Sequence, residues 1–171
     1  MTEAWKNRIV GSDDVAPDQL VANPKNWRTH PGSQRDALRG SLGTVGWVQQ
    51  VMVNQRTGHV VDGHARVEEA LSKGEPTVPV LFVDLSEAEE ALVLATLDPI
   101  TAMASTDAGK LAELLHDVHT DVPALAEMLD GLAARTGAVV PDFDPVGLDE
   151  QSRLDQKDPV ICPNCSHEFI P

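Results

Sequence analysis

Residues 59–74, HVVDGHARVEEALSKG, constrain this chain more than any other stretch. A short apolar run, Val60 and Val61, meets Asp62-Gly63-His64, and a helical pattern begins at once with Ala65, Arg66, Ala70 and Leu71. The pattern predicts a strand, a tight turn on a glycine and a helix N-terminus. Gly63 lets the backbone turn without a Cβ clash, and the first N–H groups of the helix are then free to face an anion. The helix dipole adds partial positive charge there, with Arg66 in the first turn. Such a turn can cradle a phosphate; the competing reading is a strand–Gly–helix turn that binds nothing. Asp62 and His64 flank it as candidate catalytic residues. Each has an alternative: Asp62 as the cap of the following helix, and His64 as a protonated donor to an anion rather than a general base.

The flanking segments give the turn a context. Asn23-Pro24 through Arg28 form an N-P-x-x-x-R segment, and Gly46-Trp47-Val48-Gln49 form a G-hydrophobic-hydrophobic-Q turn into a strand. Gly63-His64-Ala65-Arg66 follows a hairpin signal and opens a helix. In this order, over roughly residues 9–98, the pieces resemble the N-terminal domain of the ParB/sulfiredoxin superfamily. The resemblance implies a small α/β (α+β) domain with a mixed sheet. It also implies a nucleotide, ATP or CTP with Mg²⁺, held at Gly63, His64, Ala65 and Arg66 with Gln49 and Arg28 nearby.

The departures are informative. The box reads Gly-Glu-Arg-Arg in ParB proteins and Gly-Cys-His-Arg in sulfiredoxins. His64 stands at the sulfiredoxin cysteine, so the resemblance does not extend to sulfinic-acid reduction. Ala65 replaces the first ParB arginine and Arg66 keeps the second. Where ParB proteins carry Glu-Asn-x-x-Arg, this chain reads LATLDPI, leaving Asp98 as the one hard oxygen ligand for Mg²⁺.

Charge limits the partners. Residues 1–74 hold nine Lys/Arg against eight Asp/Glu, a net of +1, and residues 75–171 hold four against nineteen, a net of −15. Non-specific DNA binding needs Lys and Arg to neutralise phosphates, and no basic arm or recognition helix stands out. Local positive charge gathers at Lys25, Arg28, His30, Arg35 and Arg39. It reads either as a solvated helix face or, through Arg28 and Arg35 or Arg39, as the far side of an anion site opposite Arg66. Glu68 and Glu69 read as solvated charges. Trp27 and Trp47 read as core or rim packing, with stacking on a nucleobase as the alternative. No run approaches the ~18 apolar residues of a membrane helix, and the N-terminus lacks a signal-peptide core. The expectation is a cytoplasmic protein of a bacterial or phage-infected cell.

Periodicity and breakers set the remaining elements. A short edge strand is expected at 8–11, a strand at 18–22, and a helix from an N-cap at Ser33 to about Thr44, closed by Gly46. Strands follow at 48–54, 59–61 and 78–83. Ser86 and Glu89 form a capping box for a helix to about Leu97. Residues 99–136 read as a helical hairpin: one helix opens at Thr106-Asp107, and another opens at Asp121 with Pro123 in its first turn. Its apolar stripe must bury itself on the domain or on a partner, and packing on the domain is the expectation. This arrangement resembles ParB-type domains that precede DNA methyltransferases in phage and mobile-element proteins.

Residues 137–160 are Pro- and Asp-rich without periodicity and read as a disordered acidic linker. The tail, 161–171, carries Cys162-Pro-Asn-Cys165-Ser-His167, which looks like one knuckle of a zinc ribbon. Structural Zn²⁺ takes four ligands, so Cys162, Cys165 and His167 need a further one from His116, His119 or a second subunit. The alternative is a degenerate knuckle without metal.

Three functions remain open from sequence. One is nucleotide-phosphate binding, with slow NTPase or phosphotransferase activity. Another is a ParB-like metal-dependent nuclease, resting on Asp62 or His64, or an accessory of DNA modification or partition. The last is a non-enzymatic adaptor. The partners expected are a nucleotide, DNA or a DNA methyltransferase, and a second copy in a homodimer, with no membrane.

Overall fold

A computed structural model describes residues 4–139, 160–165 and 167–169. Most of the stretch read as an acidic linker lies outside the described residues. The chain divides into two units, 1–140 and 141–171.

The first unit is built on a four-stranded mixed sheet. Its strands are β1 (Ile9–Val15), β2 (Val51–Asn54), β3 (Val60–Asp62) and β4 (Val78–Val83), in the order β1-β4-β2-β3. β4 runs antiparallel to β1 and parallel to β2, with Val51 opposite Val80 and Val53 opposite Phe82. A parallel pair needs a crossover, which the β3 hairpin and helix α2 (His64–Lys73) supply. β-branched residues fill the centre: Val51, Val53, Val60, Val67, Val78 and Val80 are buried together with Ala70.

Several expected boundaries move. The edge strand at 8–11 becomes a seven-residue β1 paired along β4. Residues 18–22 do not form a strand. Pro17 fixes a 3-10 turn over Pro17–Gln19, and only Val21 bridges, its carbonyl accepting from Val60 N–H at 2.9 Å. β2 begins at Val51, because Val48 before it is 80% exposed and unpaired in the sheet. α1 (Gly32–Val45) starts a residue before Ser33, since the Pro31 carbonyl takes the Arg35 N–H at 3.1 Å.

α3 (Glu87–Ala102) opens with the expected capping box, in which Ser86 N–H donates to Glu89 at 2.7 Å. It continues past Leu97 and through Pro99. A mid-helix proline deprives the carbonyl four residues earlier of its donor. That carbonyl belongs to Ala95, which is exposed, so water can serve it. α4 (Ala108–Asp117) is capped by Asp107, whose Oδ1 accepts from Lys110 N–H at 3.1 Å. α5 (Pro123–Thr136) begins on Pro123 after Val122. α5 packs on α1, and α4 packs on α5. A Cβ on Gly40 of α1 would lie 2.7 Å from Val122 Cγ1 and 3.3 Å from Leu125 Cγ, so the helices approach over a bare glycine. No helix among the described residues is long and apolar enough to cross a membrane.

The second unit contains a two-stranded antiparallel ribbon, β5 (Val160–Ile161) and β6 (Glu168–Phe169). Its turn carries the cysteines.

Candidate functional site

β3 ends at Asp62 and α2 begins at His64, leaving Gly63 to turn the chain at φ 97° and ψ 19°. This is left-handed backbone that favours glycine. A Cβ would also stand 3.1 Å from Arg66 Nε and 3.3 Å from Val51 Cα. No side chain among the described residues caps α2, and its first intrahelical bond is Val67 N–H to Gly63 O at 3.0 Å. The earlier N–H groups of the turn are therefore left for water or a ligand. Asp62 does not cap the helix as one reading expected. Its Oδ2 accepts from Arg66 Nη2 at 2.6 Å and from Gln49 Nε2 at 3.4 Å.

A cleft of about 260 Å³ opens at this turn. Asp62, Gly63, His64, Ala65, Arg66, Arg28, Gln49 and Asp98, all singled out from sequence, line it together. An apolar wall of Leu38, Val93, Leu94 and Leu97 completes it, with Asn26, His30 and Gln34 at the side. Sequence reading missed this wall, because the leucines and valine look like ordinary core spacing of α1 and α3.

The cleft holds its cations close. Arg28 Nε lies 2.6 Å from Asp98 Oδ2, but without the alignment of a hydrogen bond. Its guanidinium carbon stands 4.9 Å over the Trp27 ring, and Trp27 Nε1 donates to the Leu94 carbonyl at 3.1 Å. Arg66 is only 13% exposed, and its Nε is buried with no hydrogen-bond partner among the described residues. Two arginines thus face two aspartates.

Arg35 belongs elsewhere. It and Arg39 grip Glu69 of α2, at 2.7 Å from each side. Glu69, read as a solvated charge, is 4% exposed and ties α1 to α2. Burial pushes its carboxyl upward, but the hydrogen bonds and charges of Arg35 and Arg39 outweigh that and hold it below the usual range. The sequence signal was the pair Arg35 and Arg39, one helical turn apart, which wants an acid between them.

His64 opens α2 and lines the cleft. Burial, followed by His30, pushes its imidazole below the ordinary value, against the opposing pull of Asp62 and Glu68. Its Nε2 accepts the backbone N–H of Asn23 at 3.3 Å. This hydrogen bond and the lowered imidazole both favour the neutral ring in the ligand-free cleft. Asn23 in turn reaches Glu90, a buried carboxylate of α3. Burial raises that carboxyl, and hydrogen bonds from Thr57, Asn54 and Asn23 bring it back below its usual value.

In the second unit, Cys162 and Cys165 are free thiols on one turn, with Cys162 N–H donating to His167 O at 2.9 Å. Backbone N–H groups of Asn164 and Cys165 lower the Cys162 thiol. Among the described residues no group of three or more His, Cys, Asp or Glu side chains could hold a metal ion.

No protein-family model and no curated protein matches this chain. Solved structures do. The C-terminally truncated chromosome-partitioning protein ParB from Caulobacter crescentus, complexed with CTP-gamma-S, matches at TM-score 0.51 and 21% identity, over 77% of this chain and 73% of that one. A Pnob8-like ParB-N domain matches at TM-score 0.47 and 16% identity, over 78% of this chain and 50% of that one. The fold of this chain is that of a ParB-like N-terminal domain.

Proposed function

We propose that this chain binds the phosphates of a nucleotide at the start of α2. The observation that carries the reading is the uncapped helix N-terminus behind left-handed Gly63, with the buried, unpartnered Nε of Arg66 folded against it. Unpaired N–H groups, the helix dipole and a guanidinium converge there, which is the chemistry of an anion cradle. The Leu38–Leu94–Leu97 wall offers an apolar face for the remainder of the ligand. The ParB neighbour was solved with a CTP analogue, which supports a nucleotide in the same fold.

The residues fit Mg²⁺ only as a companion of the phosphates. Asp98 and Asp62 are each occupied by an arginine, so no ready-made carboxylate cage is present and no step runs through the ion. His64 and Asp62, both engaged, are poorly placed as free general bases. Binding is therefore the primary activity proposed, with NTPase or phosphotransferase turnover secondary to it. The wider setting proposed is a homodimer working beside DNA or a DNA methyltransferase. At the tail the described side chains do not converge as a three-ligand set, so Zn²⁺ is not assigned to Cys162, Cys165 and His167; two adjacent thiolates alone form half of a structural site.

Calorimetric titration with ATP, CTP and GTP plus Mg²⁺, beside Arg66→Ala, tests the reading. Saturable binding that weakens at least tenfold in the variant is expected, because a charge-assisted bond contributes ~1.5–3 kcal/mol. No binding to any nucleotide overturns it in favour of an adaptor. Phosphate release in the same samples reads turnover.

A further inference from the structure

A chain of hydrogen bonds that begins in the core reaches the imidazole of His64. Glu90 is 5% exposed. Its Oε2 accepts from Asn54 Nδ2 at 2.5 Å and Thr57 Oγ1 at 2.6 Å, and its Oε1 accepts from Asn23 Nδ2 at 2.7 Å. One oxygen of the carboxylate thus serves the core, and the other holds Asn23. The Asn23 Oδ1 accepts Lys25 N–H at 2.9 Å, so the residue is pinned from two directions. Its backbone N–H is then presented to His64 Nε2.

A backbone amide can only donate. Nε2 must therefore be the unprotonated nitrogen, and in the neutral ring the proton resides on Nδ1. We propose that Glu90 and Asn23 are positioning residues that fix His64 as an Nδ1–H donor at the α2 N-terminus, so that the cleft offers phosphate a neutral donor rather than a base. This rests on the phosphate-binding reading of the cleft. The groups around the ring do not impose that tautomer. Asp62 from β3 and Glu68 from α2 favour the charged ring, and His30 from the segment before α1 opposes it. Arg28, Arg66 and Asp98, which line the same cleft, are engaged in their own pairs. Among the described residues, the Asn23 amide is the hydrogen-bond partner that distinguishes the two nitrogens.

The test is nuclear magnetic resonance of the full chain with ¹⁵N-labelled histidine, first without ligand. The wild type is expected to hold His64 as the Nδ1–H tautomer. Asn23→Ala and Glu90→Gln should each produce a mixture of tautomers and raise the His64 titration midpoint, since the backbone N–H of residue 23 remains but is no longer anchored against Nε2. Each should weaken ATP or CTP binding about tenfold, the loss of one well-placed hydrogen bond. The double variant should be no weaker than the poorer single, because the two act in series. If Glu90→Gln does not fold, Asn23→Ala carries the test, as it leaves both donors to Oε2 in place. A single Nδ1–H tautomer retained in folded variants overturns the relay. A mixed wild-type tautomer does the same. Because the tautomer is read without nucleotide, a correct tautomer with no binding overturns the phosphate reading and leaves the relay standing.

Discussion

Arg66 Nη2 stands 2.6 Å from Asp62 Oδ2, across the glycine that turns β3 into α2. The cation best placed to meet a phosphate is therefore held by the carboxylate that precedes it. A ligand must draw Arg66 away from Asp62, and that exchange opposes binding.

Neutralising the holder should reveal this opposition. Asp62→Asn keeps the shape of the side chain and its contact with Gln49 while removing the charge. Nucleotide affinity is expected to rise about threefold, in keeping with the 0.2–1 kcal/mol typical of partly exposed ion pairs. Calorimetry reads it; weaker binding would mean that Asp62 orients Arg66 rather than restraining it.

Gly63→Ala combines strain and crowding. The positive φ disfavours any Cβ, and Val51 Cα, being backbone at 3.3 Å, cannot step aside. Urea unfolding should register a loss of about 1–3 kcal/mol. Nucleotide binding should fail even where the variant remains folded.

The α1–α2 clamp should respond unequally to its members. Glu69→Ala removes the shared acceptor of two partly exposed arginines and is expected to destabilise by about 1–2 kcal/mol, more than the loss of either arginine, because water can reach the guanidinium groups left behind. Arg39→Ala removes a half-exposed partner, leaves Arg35 in place, and should cost below about 1 kcal/mol. Equal losses in thermal or urea unfolding would contradict the clamp.

Acid should act through Asp84. The Arg56 guanidinium, which grips it in a two-point pair, brings its carboxyl down from 3.8 to about 2. A depressed carboxyl adds stability above its unfolded value, and that stability is lost as pH falls from about 3.8 through 2. Arg56→Gln should therefore narrow its stability gap to the wild type across this window. A gap that stays constant from pH 5 to 2 would rule out the linkage.

Gly40→Leu tests the docking of α5. A side chain there would drive into Val122 and Leu125. Limited proteolysis is expected to cut within 123–136 in the variant and to spare the sheet.

What the sequence made legible was local. β4 over 78–83, the Ser86–Glu89 box, the left-handed turn at Gly63 and Pro123 at the head of α5 each follow from residues within a few positions of one another. The pieces lost were set by tertiary neighbours. Residues 18–22 looked extended, yet Pro17 and the lack of a full partner strand left only a bridge at Val21. The helix after Ser86 looked complete at about Leu97, but it runs on because solvent can serve the carbonyl that Pro99 orphans. In the candidate site, Gly63 to Arg66, Arg28 and Gln49 were readable as a group. Arg35 was misassigned, because nothing local shows that α2 presents Glu69 to it. Asn23, Glu90 and His64 lie far apart in the chain, and no periodicity connects them.

The paired arginines have a kinetic consequence. With Arg28 and Arg66 each matched by an aspartate and His64 neutral, the cleft adds little positive field to a chain of net charge −14. A nucleotide therefore approaches against a repulsive potential and meets attraction only on contact. Salt shortens the reach of that potential, to about 8 Å at physiological ionic strength. Association should thus quicken as salt is added, the reverse of a basic site that steers its anion in from a distance.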